Sequence, residues 1–94
     1  MKNIRVEELI DFLQAQPNTQ LIDVRTPQEY AAGYVEGFVN IPLDNLMHGS
    51  ISVEQETPVI VMCHSGSRSL IACRTIEMAG HTNVYNLVGG YMAF

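Results

Sequence analysis

The sequence predicts an α/β domain in which helices cover both faces of a central, mainly parallel β-sheet. Short apolar runs rich in β-branched residues, typical of buried parallel strands, alternate along the chain with helical patterns. The length and composition agree with this class, since 94 residues with 47% hydrophobic and 16% charged content suit one compact domain. We therefore expect one domain over residues 1–94.

An amphipathic helix and a strand come first. The apolar residues of this helix recur with helical spacing, at Val6, Leu9, Ile10 and Leu13. Arg5 is a poor N-cap for it, and Pro17 forces it to end. Residues 20–24 are then predicted to form the first strand.

The second predicted helix begins with a capping box. Thr26 is its N-cap, Pro27 occupies its first position and Glu29 its third. Gly33 keeps this helix short, and residues 38–41 follow as a short strand.

The second half of the chain repeats the alternation. Residues 43–48 are predicted as a helical turn, and residues 58–62 as a strand buried on both faces. A helix over residues 69–79 ends at Gly80, and residues 83–87 form the last strand.

Cys63 is the candidate nucleophile, because it ends the buried strand and precedes a short loop and a helix. Ligand sites in open parallel sheets lie at the carboxyl ends of strands. Loop N–H groups and a helix N-terminus stabilise a thiolate, and Gly66 lets the backbone turn toward the sulfur. We expect a thiol pKa well below the usual value of about 8.5, with Arg68 nearby contributing.

Charge and cysteine content exclude several classes of function. The net charge is −5 and the five cationic residues are scattered, which argues against nucleic acid or an anionic membrane as a partner. Two cysteines make no disulfide framework, and no signal peptide or membrane-spanning run is apparent, so we expect a cytoplasmic protein. No metal or other cofactor is expected, because His48 and His81 lack ligand spacing with the cysteines.

Four segments of the chain, in the same order and spacing, resemble the rhodanese family of sulfurtransferases. They are Leu21-Ile22-Asp23-Val24-Arg25 with Glu29-Tyr30, then Gly33 to Pro42, then Cys63-His64-Ser65-Gly66-Ser67-Arg68-Ser69, and Leu87-Val88-Gly89-Gly90. The chain departs from the family pattern at Tyr34, Phe38 and Phe94, which stand where His, Ala and Trp are usual. The family's last helix is truncated or absent here, so we expect Phe94 to anchor the C-terminus.

The resemblance implies a thiosulfate sulfurtransferase that works through a persulfide on Cys63. Thiosulfate or another sulfane-sulfur donor would supply the sulfur, and cyanide or a thiol would accept it. A sulfur-relay protein is one partner that could carry such a thiol. The loop residues expected to bind substrate and stabilise the persulfide are His64, Ser65, Gly66, Ser67, Arg68 and Ser69.

Several side chains keep two interpretations at this stage. Arg68 either attracts the anionic donor or braces loop carbonyls. Ser69 either donates a hydrogen bond to the sulfur or caps the helix. Ser67 could also donate a hydrogen bond to the sulfur. For His64, contact with substrate is favoured over general-base catalysis. For Cys73, core packing is favoured over a role as a resolving thiol. For Asp23, Arg25 and Glu29, a structural ion-pair network is favoured over acid/base catalysis.

Two alternative functions are also compatible with the sequence. The domain could be a persulfide carrier that docks a partner protein, with Ile71 and Met78 as a small exposed patch. A cysteine-dependent phosphatase or arsenate reductase is less favoured, because the resemblance implies that the six residues from Cys63 to Arg68 fit a terminal sulfur atom. Related phosphatases use a loop that is one residue longer.

Overall fold

The computed structural model describes residues 1–49 and 51–94, and it has the predicted α/β architecture. The strands are β1 (Lys2–Ile4), β2 (Gln20–Asp23), β3 (Val39–Asn40), β4 (Val59–Met62) and β5 (Val84–Leu87). The helices are α1 (Val6–Ala15), α2 (Pro27–Ala32), α3 (Leu43–Met47) and α4 (Ser67–Met78), and a 3₁₀ turn covers Gly90–Ala93. The loop predicted over residues 49–57 includes Ser50, which lies outside the described residues.

All five strands are parallel and lie in the order β1-β5-β4-β2-β3. Strand β4 is central, and each of its four residues is fully buried, as the apolar run predicts. Strand β1 was not predicted, because three residues at a sheet edge give too short an alternation of apolar and polar side chains.

The alternation of side chains along β4 divides the core between the two faces of the sheet. Val59 and Val61 pack with buried residues of α3 and α4, whereas Ile60 and Met62 pack on the α1 side with Leu9. Helices therefore cover both faces, and the carboxyl edge of the sheet is left for the loops that follow β2 and β4.

Helix α1 differs from its predicted pattern in one position. Leu9 is buried, but Ile10 is 69% exposed, and Phe12 packs against the sheet through an edge-on contact with Tyr85. Although Arg5 is a poor cap, its backbone N–H donates to Glu8 Oε1 at 2.9 Å, which supplies half of a capping box.

Helix α4 begins two residues earlier than predicted, so Ser67 and Arg68 belong to its first turn. Gly66 is the N-cap residue, with φ of 112°, a conformation that favours glycine. The helix ends as predicted, since the Gly80 N–H donates to the Glu77 carbonyl at 3.0 Å.

The C-terminus is not anchored as predicted. Phe94 is 51% exposed and touches Phe38 only edge-on, with 6.4 Å between ring centroids. Its burial is therefore too small to support the large stabilisation expected of a core aromatic residue. In the part of the chain that the structure describes, no helix has the length and apolar character needed to cross a bilayer.

Candidate active site

Cys63 lies immediately after β4, and the backbone that follows it wraps around its sulfur. The residue is 1% exposed, and the Gly66 N–H donates to Cys63 Sγ at 3.0 Å. The positive φ of Gly66 turns that N–H toward the sulfur just before α4 begins. The thiol therefore faces both the loop amides and the N-terminus of a 12-residue helix.

Ser69 supplies the side-chain contact to the sulfur. It lies inside the first turn of α4 rather than at the cap, and the Cys63 thiol donates to its hydroxyl at 3.5 Å. The hydroxyl in turn donates to the Gly66 carbonyl at 3.0 Å or to Asn86 Oδ1. When the thiol ionises, the hydroxyl can rotate and donate to the sulfur instead.

Asn86 is a member of this site that the sequence did not single out. It is 6% exposed on β5, and its Nδ2 donates to Asn3 Oδ1 at 3.3 Å while its Oδ1 accepts from Ser69. The sequence does contain a signal for it, since Asn86 is an amide side chain inside an otherwise apolar strand. A buried amide needs hydrogen-bond partners, so its position indicates a polar contact inside the core.

The loop lowers the pKa of the Cys63 thiol. Burial on its own would raise it, but the hydroxyl of Ser69 and the backbone N–H groups of Ser69, Gly66 and Ser65 together outweigh burial. Neutral dipoles thus supply the activation, as expected for a thiol at a loop and helix N-terminus.

We predict that the alkylation rate of Cys63 will titrate at a lower pH in the wild type than in Ser69→Ala, since that variant loses the hydroxyl donor. The measurement is the pH dependence of the rate with iodoacetamide. Ser67→Ala is the matched control, because Ser67 is exposed and makes no side-chain hydrogen bond within the described residues. An identical midpoint in wild type and Ser69→Ala would contradict the assigned role of the hydroxyl.

Arg68 does not brace the loop carbonyls among the described residues, whereas its other predicted role, attraction of an anionic donor, stays a prediction. Its guanidinium forms a bidentate ion pair with Glu29, with Nη1–Oε1 of 2.6 Å and Nη2–Oε2 of 2.9 Å. Hydrogen bonds from Arg68, and then from Thr26, lower the pKa of Glu29 to about 2.

Ser67 also departs from expectation, because its hydroxyl does not reach the Cys63 sulfur in the described structure.

The C-terminal backbone braces the loop carbonyls instead. The Tyr91 N–H donates to the Cys63 carbonyl at 2.8 Å, and the Met92 N–H donates to the His64 carbonyl at 3.1 Å. A Cβ on Gly90 would lie 2.3 Å from the Cys63 oxygen, so only glycine permits this approach.

A buried ion pair supports the loop that follows β2. Arg25 Nε and Nη2 donate to Asp23 at 2.8–3.1 Å, and Nη2 also reaches the Gly33 carbonyl at 2.7 Å. The guanidinium stacks on Tyr91, 4.0 Å from the ring centroid. The predicted network of Asp23, Arg25 and Glu29 is therefore two separate ion pairs, because the carboxylate of Glu29 binds Arg68.

His64 and Ser65 have exposed side chains on the outside of the loop. His64 borders a cavity of about 230 Å³ that Arg25, Glu29, Gly33 and Tyr91 also line. Cys63 does not line this cavity, so contact of His64 with substrate stays a prediction.

Cys73 is a core residue, as predicted. It is fully buried on α4, and burial, followed by the charge of Glu77, raises the pKa of its thiol to about 12. Ile71 and Met78 lie seven residues apart on the solvent-facing side of the same helix, and they are 51% and 82% exposed. Within the described residues no cluster of His, Cys, Asp and Glu could hold a metal ion.

Comparison with known proteins places this fold and loop in one family. The family profile described as "Rhodanese-like domain" matches residues 5–94. The thiosulfate sulfurtransferase GlpE of Tolumonas auensis is 31% identical over 88 residues, covering 94% of this chain and 82% of that protein. The putative sulfur carrier protein YrkF of Bacillus subtilis is 30% identical, covering 93% of this chain and 47% of that protein. The human single-domain sulfurtransferase TSTD1 superposes with a TM-score of 0.86 at 26% identity, covering 99% of this chain and 94% of that one.

Proposed function

Because the chain belongs to the rhodanese-like sulfurtransferase family, we propose that it moves sulfane sulfur from thiosulfate or a persulfide donor to a thiophilic acceptor through a persulfide on Cys63. The observation that supports this most is the environment of the sulfur. A buried thiol accepts the Gly66 N–H at 3.0 Å, and its pKa is lowered. A nucleophile in that state needs no separate base.

In the first half-reaction, the Cys63 thiolate attacks the outer sulfur of the donor. A new S–S bond forms at Sγ while the donor's own bond to that sulfur breaks. Thiosulfate leaves as sulfite and an organic persulfide leaves as a thiolate, with the bonding electron pair in each case. The loop N–H groups, Gly66 foremost, then hold the negative charge of the persulfide, as an oxyanion hole holds a developing oxyanion.

In the second half-reaction, the acceptor attacks the terminal sulfur of the persulfide. Cyanide becomes thiocyanate, or a thiolate becomes a persulfide, and the Cys63 thiolate leaves with the electron pair of the S–S bond. His64 is exposed beside the loop, so it is placed to contact donor or acceptor.

Turnover of thiosulfate and cyanide to thiocyanate tests this proposal. We expect Cys63→Ser to abolish turnover, because serine cannot form the persulfide. Cys73→Ala is the matched control and should retain most activity, since Cys73 is buried with a pKa of about 12. Turnover that persists in Cys63→Ser would refute the assignment.

A persulfide carrier that serves a partner protein is the second candidate. Leu70, Ile71 and Met78 are between 46% and 82% exposed on α4, the helix that begins at the active-site loop. One relative is described as a putative sulfur carrier protein. A carrier would load Cys63 stoichiometrically yet turn over cyanide slowly, so comparing the two half-reactions separates these candidates.

A phosphatase or arsenate reductase is the least supported candidate, because the loop from Cys63 to Arg68 has six residues and its only arginine is bound to Glu29. Hydrolysis of an aryl phosphate by the wild type, lost in Cys63→Ser, would favour it. We propose the cytoplasm as the compartment, because a reducing environment keeps Cys63 available as a thiol.

A further inference from the structure

The positive charge nearest the active-site loop is cancelled within the protein. Both Nη atoms of Arg68 bind the carboxylate of Glu29, at 2.6 and 2.9 Å, and each side chain is about one third exposed, at 34% and 32%. This fork-to-fork geometry is the strongest way in which a carboxylate holds a guanidinium. The pair therefore presents little net charge to a ligand at the loop.

Glu29 is held in place independently of Arg68. In the capping box of α2, the Thr26 N–H donates to Glu29 Oε1 at 2.9 Å, and the Glu29 N–H donates to Thr26 Oγ1 at 3.2 Å. The first of these bonds orients the carboxylate before any ligand arrives, and the second holds the backbone of Glu29 in the first turn of α2. With a pKa of about 2, Glu29 stays ionised throughout the neutral pH range.

Arg25, a second cation at this edge of the sheet, is unavailable as well. It is 2% exposed and bound to Asp23. Arg5 follows β1 at the same edge, and its Nε pairs with carboxylate oxygens of Glu7 and Glu8 at 3.4 Å. Lys2 lies on β1, and Arg74 lies two turns further along α4. Among the described residues, no uncompensated cation thus lies at the loop, and the chain as a whole carries a net charge of −5.

We propose that Glu29, acting through Arg68, is a specificity-determining residue that favours sulfur donors with a single negative charge over the dianion thiosulfate. The inference rests on the proposed function and narrows its donor class to organic sulfane-sulfur monoanions. A dianion gains most from a free cation and loses most when that cation is neutralised.

Two donors that differ by one charge test this preference. Thiosulfate delivers its outer sulfur to Cys63 and leaves as sulfite. Methanethiosulfonate, in which a methyl group replaces one oxyanion, delivers the same sulfur and leaves as methanesulfinate. In both cases the thiolate forms one S–S bond, the donor loses one, and the leaving group departs with the electron pair.

We expect the wild type to have a higher kcat/KM for methanethiosulfonate than for thiosulfate. Glu29→Gln should raise the ratio of thiosulfate to methanethiosulfonate kcat/KM by about three- to tenfold. That factor is the Coulomb effect of removing the Glu29 charge when it lies about 6 Å from the second negative charge of thiosulfate. It assumes an effective dielectric constant of about 40–80. Glutamine also serves in a capping box, so the start of α2 should survive the change.

Two controls isolate the charge of Arg68. Glu56→Gln makes the same change in net charge on the loop before β4, at the opposite edge of the sheet, and should leave the ratio unchanged. In the double variant Glu29→Gln/Arg68→Gln the gain of Glu29→Gln should disappear, because the uncovered cation is gone.

Salt dependence gives a second readout that needs no variant. Added salt should leave the wild-type kcat/KM for thiosulfate unchanged or raise it, because the net negative protein repels the dianion. A steep fall with salt, or an unchanged donor ratio in Glu29→Gln, would overturn the inference. If neither donor delivered sulfur to Cys63, the proposed function itself would fail, a result distinct from loading without the predicted preference.

Discussion

Asp23→Ala is expected to lower the free energy of unfolding by about 3–5 kcal/mol, the usual cost of leaving one partner of a buried ion pair alone. Asp23 is fully buried and accepts hydrogen bonds from the Arg25 guanidinium at 2.8–3.1 Å and from the Arg25 N–H at 3.0 Å. Removing the carboxylate leaves a buried guanidinium whose remaining acceptors, among the described residues, are the Gly33 and Glu29 carbonyls. A domain of this size has about 5–10 kcal/mol in total, so the variant should be close to unfolding.

Urea denaturation measures this loss as a lower midpoint with a similar slope. Asp11→Ala is the matched control, since Asp11 is exposed on α1 and its removal should change stability by no more than about 0.5 kcal/mol. A loss below about 1 kcal/mol in Asp23→Ala would mean that this pair contributes no more than a surface salt bridge.

Gly90→Ala is expected to reduce kcat for sulfur transfer by about 100-fold, the scale associated with displacing a reacting group by about 1 Å. The new methyl group would lie 2.3 Å from the Cys63 carbonyl oxygen and 2.9 Å from that of His64. Relief of that clash must separate the C-terminal segment from the loop. The hydrogen bond from the Tyr91 N–H to the Cys63 carbonyl, 2.8 Å in the native protein, would then lengthen.

Gly80→Ala separates the clash at the loop from backbone strain alone. Gly80 also has a positive φ, of 106°, but the atoms nearest to a Cβ there belong to the end of the flexible Gln55 side chain. It follows α4, far from the helix end that contacts Cys63. We expect Gly80→Ala to lower stability and to keep kcat near that of the wild type. Equal kcat in Gly90→Ala and wild type would show that the C-terminal segment does not position the loop.

The sequence predicted the features of the site that depend on local pattern. Cys63 was placed correctly after β4 because the preceding apolar run, β-branched and uninterrupted, is characteristic of a central parallel strand. The capping box of Thr26 and Glu29 follows from spacing alone, and both of its hydrogen bonds form. Burial of Cys73 followed from its helical face and is confirmed.

The parts that were missed depend on contacts distant in sequence. Glu29 binds Arg68 across 39 residues, and no local pattern indicates that a capping residue also neutralises a cation of the loop. Likewise, the bracing of the Cys63 carbonyl by Tyr91 is a backbone contact, which side-chain identities do not encode. The anchoring role expected of Phe94 was wrong because its exposure depends on how the final 3₁₀ turn packs.

Localising the transferred sulfur after the first half-reaction tests the central claim most directly. The protein is treated with thiosulfate or methanethiosulfonate in the absence of acceptor, and its intact mass and the masses of its cysteine peptides are measured without reductant. We predict one added sulfur atom, on the peptide that contains Cys63, removed by cyanide and absent from Cys63→Ser. Sulfur found on Cys73, or retained by the Cys63→Ser variant, would contradict the account.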